Sequence, residues 1–137
     1  MSHLLDTNVV SELRKKRADE RVAAWLRGVD AGDLHVSVLA IGEIRRGIEL
    51  LRRRGDHRQA DVLEPWLQSL KESFADRTLD VSVGIAERWG QLNAIKPLPI
   101  VDGLMAATAI EHDLILVTPD PGALAGTGVR TLDPWSA

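Results

Sequence analysis

Apolar residues recur along the chain with two different periods, and the way these periods alternate predicts a fold. Residues 3–5 read as a short strand, and a helix follows from about Asn8. A second helix over roughly 19–28 places Val22, Trp25 and Leu26 on one face. The segment "DLHVSV" (33–38) reads as the next strand. From Leu39 to about Arg54, Ile41, Ile44, Ile48 and Leu51 form an apolar helical stripe. Gly55 and Asp56 break that helix. Another covers about 57–74, with Leu63, Leu67, Leu70 and Phe74 on one face and Pro65 expected to kink or split it. "RTLDV" (77–81) reads as a third strand, and residues 83–94 as a helix aligning Ile85, Trp89 and Leu92. After the loop "KPLP" (96–99) come a small-residue helix over about 103–112, the buried strand "DLILVT" (113–118) and the turn "PDPG" (119–122). "GVRTLD" (128–133) closes the chain as a last strand or edge.

Strands that alternate with helices predict a mainly parallel sheet covered on both faces, an α/β fold. No repeat, low-complexity segment or linker interrupts the pattern. The 137 residues are expected to form one domain, 1–137. In such sheets ligands sit beyond the carboxyl ends of the strands. Four acids fall near such places: Asp6 ends the first strand, Glu43 lies early in the helix after the second, Asp102 opens the small-residue helix, and Asp120 follows the buried strand.

Each acid also has an ordinary role. Asp6 and Asp102 suit helix N-caps, and Asp120, between two prolines and before a glycine, suits a turn. Glu43 lies at the margin of the apolar stripe, with Gly42 before it and Gly47 one turn later. Glycine within a helix costs about 1 kcal/mol relative to alanine, so this pair points to something approaching the backbone.

Taken together the acids support a different reading. Two carboxylates about 4 Å apart repel by about 4 kcal/mol at an effective dielectric near 20, and without a partner one must hold a proton. Mg²⁺, or Mn²⁺ with similar ligands, resolves the repulsion. The chain has no cysteine, and His3, His35, His57 and His112 show no ligand spacing, which disfavours zinc. A carboxylate-held metal suits phosphodiester cleavage. Asp6, Glu43 and Asp102 would ligate it directly or through water, while Thr7, Asn8 and Thr118 would orient carboxylates or the attacking water. Arg14 or Arg46 would meet a substrate phosphate, a surface role being the alternative for either.

Composition narrows the substrate. With 45% hydrophobic and 27% charged residues the chain has the makings of a globular core. Four Trp, one Phe and no Tyr supply stacking platforms poorly. A net charge of −3 argues against a broad basic surface, although local patches matter more than the total; "RKKR" (14–17) and "RRR" (52–54) read as solvated helix faces or ends. Recognition of a nucleic acid would then depend on its shape and phosphates. The absence of cysteine fits a reducing compartment. No apolar run approaches the roughly 18 residues of a membrane span, and the N-terminus lacks a signal-peptide shape, so a cytoplasmic protein without membrane association is expected.

Three segments in order, "LLDTNVVSEL", "SVLAIGEIRRGIELL" and "PIVDGLMAATAIEHDLILVT", resemble the PIN-domain ribonucleases, most nearly toxins of the VapC and FitB type. "GVRTLDPW" is similar to the closing segment of that family, so the likeness spans essentially the whole chain. The resemblance implies a three-layer α/β/α sandwich around a parallel sheet, with the acidic site carried by Asp6, Glu43 and Asp102 and supported by Thr7 with Asn8. It further implies the toxin of a type II toxin–antitoxin system that cuts RNA with Mg²⁺ or Mn²⁺, leaving a 5′-phosphate and a 3′-hydroxyl. Family members usually dimerise and are held inactive by a VapB-type antitoxin, often through an arginine near the metal. The chain departs from the pattern at "TPDPGAL": Thr118 is kept, proline replaces an arginine, Asp120 takes an asparagine position, and Ala123 stands where an acid is usual. Asp120 is taken as the contributor of the missing charge, the alternative being a site with three strong ligands.

Two other functions stay open at this stage. An aspartate ending the first strand serves as nucleophile in some phosphoryl-transfer enzymes, although "DTN" lacks the second acid two residues on. A catalytically weak or inactive PIN-like module that binds a partner or RNA is motivated by Ala123. Whatever the chemistry, the helices over 39–74 are expected to pair and to clip an antitoxin segment, with Trp66 as anchor or, alternatively, as core.

Overall fold

The computed structural model describes residues 1–136. Five strands run in chain order: β1 (His3–Leu5), β2 (Leu34–Ser37), β3 (Thr78–Leu79), β4 (Ile115–Val117) and β5 (Thr131–Leu132). Six helices separate them: α1 (Thr7–Leu13), α2 (Glu20–Arg27), α3 (Val38–Arg53), α4 (His57–Ser73), α5 (Val83–Ile95) and α6 (Ile100–Glu111). Every strand pair is parallel, in the order β3-β2-β1-β4-β5. Parallel neighbours need crossover connections, and the helices supply them on both faces.

Side-chain alternation along the strands divides the core in two. Leu5, Val36 and Val117 join Val9, Ile44, Ile48, Leu67 and Phe74 on one face. Leu4 and Leu116 join Ala40, Met105, Ala106 and Ala109 on the other. This is the expected α/β/α sandwich. Residues Met105–Ala109 of α6 are all buried, and the small side chains of Ala106, Ala107 and Ala109 let the helix lie close to the sheet.

The hairpin of α3 and α4 follows from the apolar stripes. Ile48 is fully buried and Ile44 nearly so, each worth about 1.5–3 kcal/mol of burial. Gly55 turns the chain between them at φ +86, a left-handed conformation suited to glycine. Arg45 grips Glu64 with two hydrogen bonds of 2.6 and 3.0 Å, and Arg52 adds a 2.8 Å contact. Pro65 does not split α4. It sits on the exposed outer side, as does Asp61 four residues earlier, so the carbonyl left without an N–H partner can face water.

Several boundaries differ from the sequence expectation: β3 and β5 keep only Thr78–Leu79 and Thr131–Leu132 of the segments expected over 77–81 and 128–133. The small-residue helix starts at Ile100, not near 103, because Pro99 in extended backbone (φ −50, ψ 141) takes the N-cap place. Asp102 is therefore the third residue of α6 and does not cap it. The strand expected over 113–118 is confined to Ile115–Val117, since Asp113 turns at φ +54. Among the described residues no helix is long and apolar enough to cross a membrane.

Candidate active site

The chain leaves β1 for β2 on one side and later places β4 on the other, so the crossover direction changes between β1 and β4. The crevice beyond their carboxyl ends is where such sheets bind ligands. Leu5 pairs with Val117 at the last register position, which sets Asp6 and Thr118 side by side at its floor.

Asp6 caps a helix and also lines the crevice. Its Oδ1 accepts the Thr7 N–H at 2.8 Å, capping α1. Its Oδ2 accepts the Thr118 hydroxyl at 3.0 Å. The buried Thr118 Oγ1 in turn accepts the Asp120 N–H at 3.2 Å. One hydroxyl thus joins the ends of β1 and β4 to the following turn. Partial burial pushes the Asp6 carboxyl above the ordinary carboxylate range; the Thr118 and Thr7 hydrogen bonds pull it back, and the charges of Asp102 and Glu43 push it up again.

Helices run back against the strands, so the first turn of α6 arrives at the same edge and brings Asp102 with it. Asp6, Asn8, Asp102, Thr118 and Asp120 form the polar wall of a recess of about 110 Å³, floored by Met105, Leu116 and Leu124. Ala123 lines it as well. Asp120 precedes a 3-10 turn (Pro121–Leu124) without capping it by a side-chain bond, so its carboxylate is left for the recess.

Glu43 takes a different place. It lies in an adjoining cleft of about 300 Å³ with Thr7, Arg14, Gly47, Leu63 and Trp66. The Thr7 hydroxyl donates to its carboxylate, so one residue links it to the Asp6 backbone cap. Arg14 lines this cleft and Arg46 does not. Added Cβ atoms at Gly42 and Gly47 would meet nothing within 4 Å, so no part of this chain accounts for the two glycines. Trp66 is half-buried, packed on the core and open to the cleft.

Asp6, Asp102, Asp120 and Thr118 present oxygen donors to the recess, which suits a hard cation. Among the described residues no three acidic or histidine side chains converge tightly enough to encircle an ion alone. Met105, Leu116 and Leu124 were missed from sequence as the floor of the recess; as ordinary core apolar residues they carry no signal that would single them out.

The PIN domain family pattern matches residues 3–125. Toxin FitB of Neisseria gonorrhoeae is 34% identical over 138 residues, spanning 96% of this chain and 97% of that protein. VapC ribonuclease Y4jK of Sinorhizobium fredii is 30% identical over 135 residues, 96% of each chain. The crystal structure of FitAcB from Neisseria gonorrhoeae is similar with a TM-score of 0.87 at 34% identity, covering 98% of this chain and 99% of that one. With this pattern spread over the three quoted motifs and the parallel sheet that carries them, the chain belongs to the PIN-domain family.

Proposed function

We propose that this chain is an endoribonuclease dependent on Mg²⁺ or Mn²⁺ and the toxin of a type II toxin–antitoxin pair. One observation carries the reading. Asp6, at the β1/β4 crevice, is tied through both oxygens, to the Thr7 N–H and the Thr118 hydroxyl, while Asp102 and Asp120 line the same recess. The names of the similar proteins, a toxin and a ribonuclease, support it.

The residues fit a hard divalent ion. Asp6, Asp102 and Asp120 would hold it, with Glu43 at the rim through Thr7. Loose convergence of the acids suits Mg²⁺, which keeps several waters. When bound, such an ion polarises a phosphodiester and lowers the pKa of water. The protein's own part is orientation. Thr118 fixes the Asp6 carboxylate and the Asp120 backbone together, so the Asp6 carboxylate is already ordered when substrate arrives. Asn8 offers an amide to a substrate oxygen on the recess wall. Arg14, beside Glu43 in the adjoining cleft, offers a cation to a neighbouring phosphate.

The cleft between α1, α3 and α4 is where we place an apolar segment of a VapB-type antitoxin, Trp66 being its anchor. A homodimer acting in the cytoplasm as one folded domain completes the proposal.

The test is cleavage of a structured RNA. Mg²⁺ or Mn²⁺ should support it, EDTA should stop it, and Asp6→Asn should abolish it while leaving the protein folded. EDTA-resistant cleavage by the Asp6→Asn protein would refute the site. A second reading, a weak or inactive module that binds a partner or RNA, is favoured by Ala123, which gives the recess a methyl group. Calorimetry that detects no Mn²⁺ binding would select it.

A further inference from the structure

The first turn of α6 carries Asp102, yet it has no side-chain cap: Pro99 accepts only the Gly103 N–H, at 3.0 Å, through its carbonyl. The orphan N–H groups of a helix start leave such a turn free to fray unless something else holds it. What holds it comes from α5. Asn93 Nδ2 donates to the Leu98 carbonyl at 3.2 Å, fixing the loop that enters α6. One turn earlier on the same face of α5, Trp89 lies against the buried Gly103. A Cβ at Gly103 would fall 2.9 Å from Trp89 Cδ1 and 3.0 Å from Nε1, closer than van der Waals contact allows. The indole N–H is buried without a hydrogen-bond partner. An unpaired buried donor costs about 1–3 kcal/mol, so the ring gains nothing there as a hydrogen-bonding group, and its contribution is shape.

We infer that Trp89 is a positioning residue for Asp102: its ring packs on the bare backbone of Gly103 and so sets the distance between Asp102 and Asp6. Asn93 assists by pinning the preceding loop. The inference rests on the reading of Asp102 as part of a metal site. Only a glycine next to Asp102 lets the ring approach this far. A methyl group there must shift the turn or the indole by several tenths of an ångström, and the acid moves with the turn.

The experiment is Mn²⁺ titration by calorimetry of the full chain, with circular dichroism confirming that each variant is folded at the working temperature. Gly103→Ala should weaken Mn²⁺ binding by about 10-fold, the lower end of what loss of a supporting contact costs a metal site. Trp89→Val ends at its γ carbons and so removes Cδ1 and Nε1, the atoms that would clash; Gly103→Ala/Trp89→Val should regain part of the affinity lost by Gly103→Ala. A residue that only fills the core would lower the melting temperature without this reversal. Should Gly103→Ala fail to fold, Asn93→Ala replaces it and should weaken Mn²⁺ binding in the same direction. Folded Gly103→Ala or Asn93→Ala protein that binds Mn²⁺ like wild type overturns the inference alone. A Gly103→Ala defect that Trp89→Val does not relieve overturns the Trp89 contact as its route. Wild-type protein that binds no Mn²⁺ overturns the functional reading and this inference with it.

Discussion

Asp6 caps α1 with one carboxylate oxygen and receives the Thr118 hydroxyl on the other, and this double duty has a measurable cost. Partial burial, offset by those hydrogen bonds and joined by the charges of Asp102 and Glu43, raises its folded-state pKa above the ordinary 3.8. For a raised acid the native state binds more protons than the unfolded chain. Its contribution to stability is then complete below pH 3.8 and is lost as pH rises through the folded value. At neutral pH the ionised group destabilises the metal-free protein. Asparagine caps a helix as well as aspartate. Metal-free Asp6→Asn should therefore melt at or above the wild-type temperature near pH 7, and the advantage should shrink toward pH 4; Mn²⁺ should raise the melting temperature of wild type only. A melting scan in which Asp6→Asn is several degrees less stable at pH 7 would show that lost capping outweighs relieved repulsion. The same residue was legible in sequence because an acid directly after an apolar stub has few roles. That Asp102 lines the recess was legible in sequence, but its place as the third residue of its helix was not, since Ile100, 64% exposed, breaks the small-residue pattern by which the helix was recognised. Gly103 gave no signal at all: the clash that a side chain would cause there arises from Trp89 on another helix.

Among the elements, the α3–α4 hairpin shows what periodicity determines and what it leaves to electrostatics. The stripes of Ile44, Ile48, Leu67 and Leu70 make both helices and set the faces they bury. Their relative placement is also held by Glu64, whose carboxyl is lowered to about 2 by hydrogen bonds from Arg45 and then Arg52. A depressed acid stabilises the fold above its ordinary value of 4.5, and that contribution fades as pH falls toward 2. Glu64→Gln should lower the melting temperature slightly at neutral pH, and the difference should vanish in acid and diminish with salt, as expected of a partly solvated network. A deficit that persisted at pH 2 would mean that packing, not charge, ties the pair. Pairings between distant residues, such as Arg45 with Glu64, have no sequence signature, and strand ends share that limit. The segment 113–118 has a uniformly apolar centre, and only the backbone turn at Asp113 shows where pairing starts.

At the scale of the molecule, an all-parallel sheet with its reversal between β1 and β4 gathers residues from both ends of the chain at one edge. Alternating elements implied the parallel sheet but not its strand order, and the order explains why Asp6, Asp102 and Asp120 line one recess although they are far apart in sequence. It also separates two surfaces: a small acidic recess, and a larger, mainly apolar cleft joined to it through Thr7 and Glu43. Trp66 lies in the cleft. If an antitoxin segment fills it, Trp66→Ala should fold normally and bind antitoxin about 2 kcal/mol more weakly, or about 30-fold, as for a buried aromatic anchor; unchanged affinity in a titration would remove Trp66 from the interface. The central claim is that the recess at the end of β1 and β4 binds a divalent cation, and anomalous scattering from a crystal soaked in Mn²⁺ tests it most directly. A single manganese peak bounded by the carboxylates of Asp6 and Asp102, with Asp120 on the same side, is the expected result. No peak in that recess, or one bound by other residues, would contradict the claim.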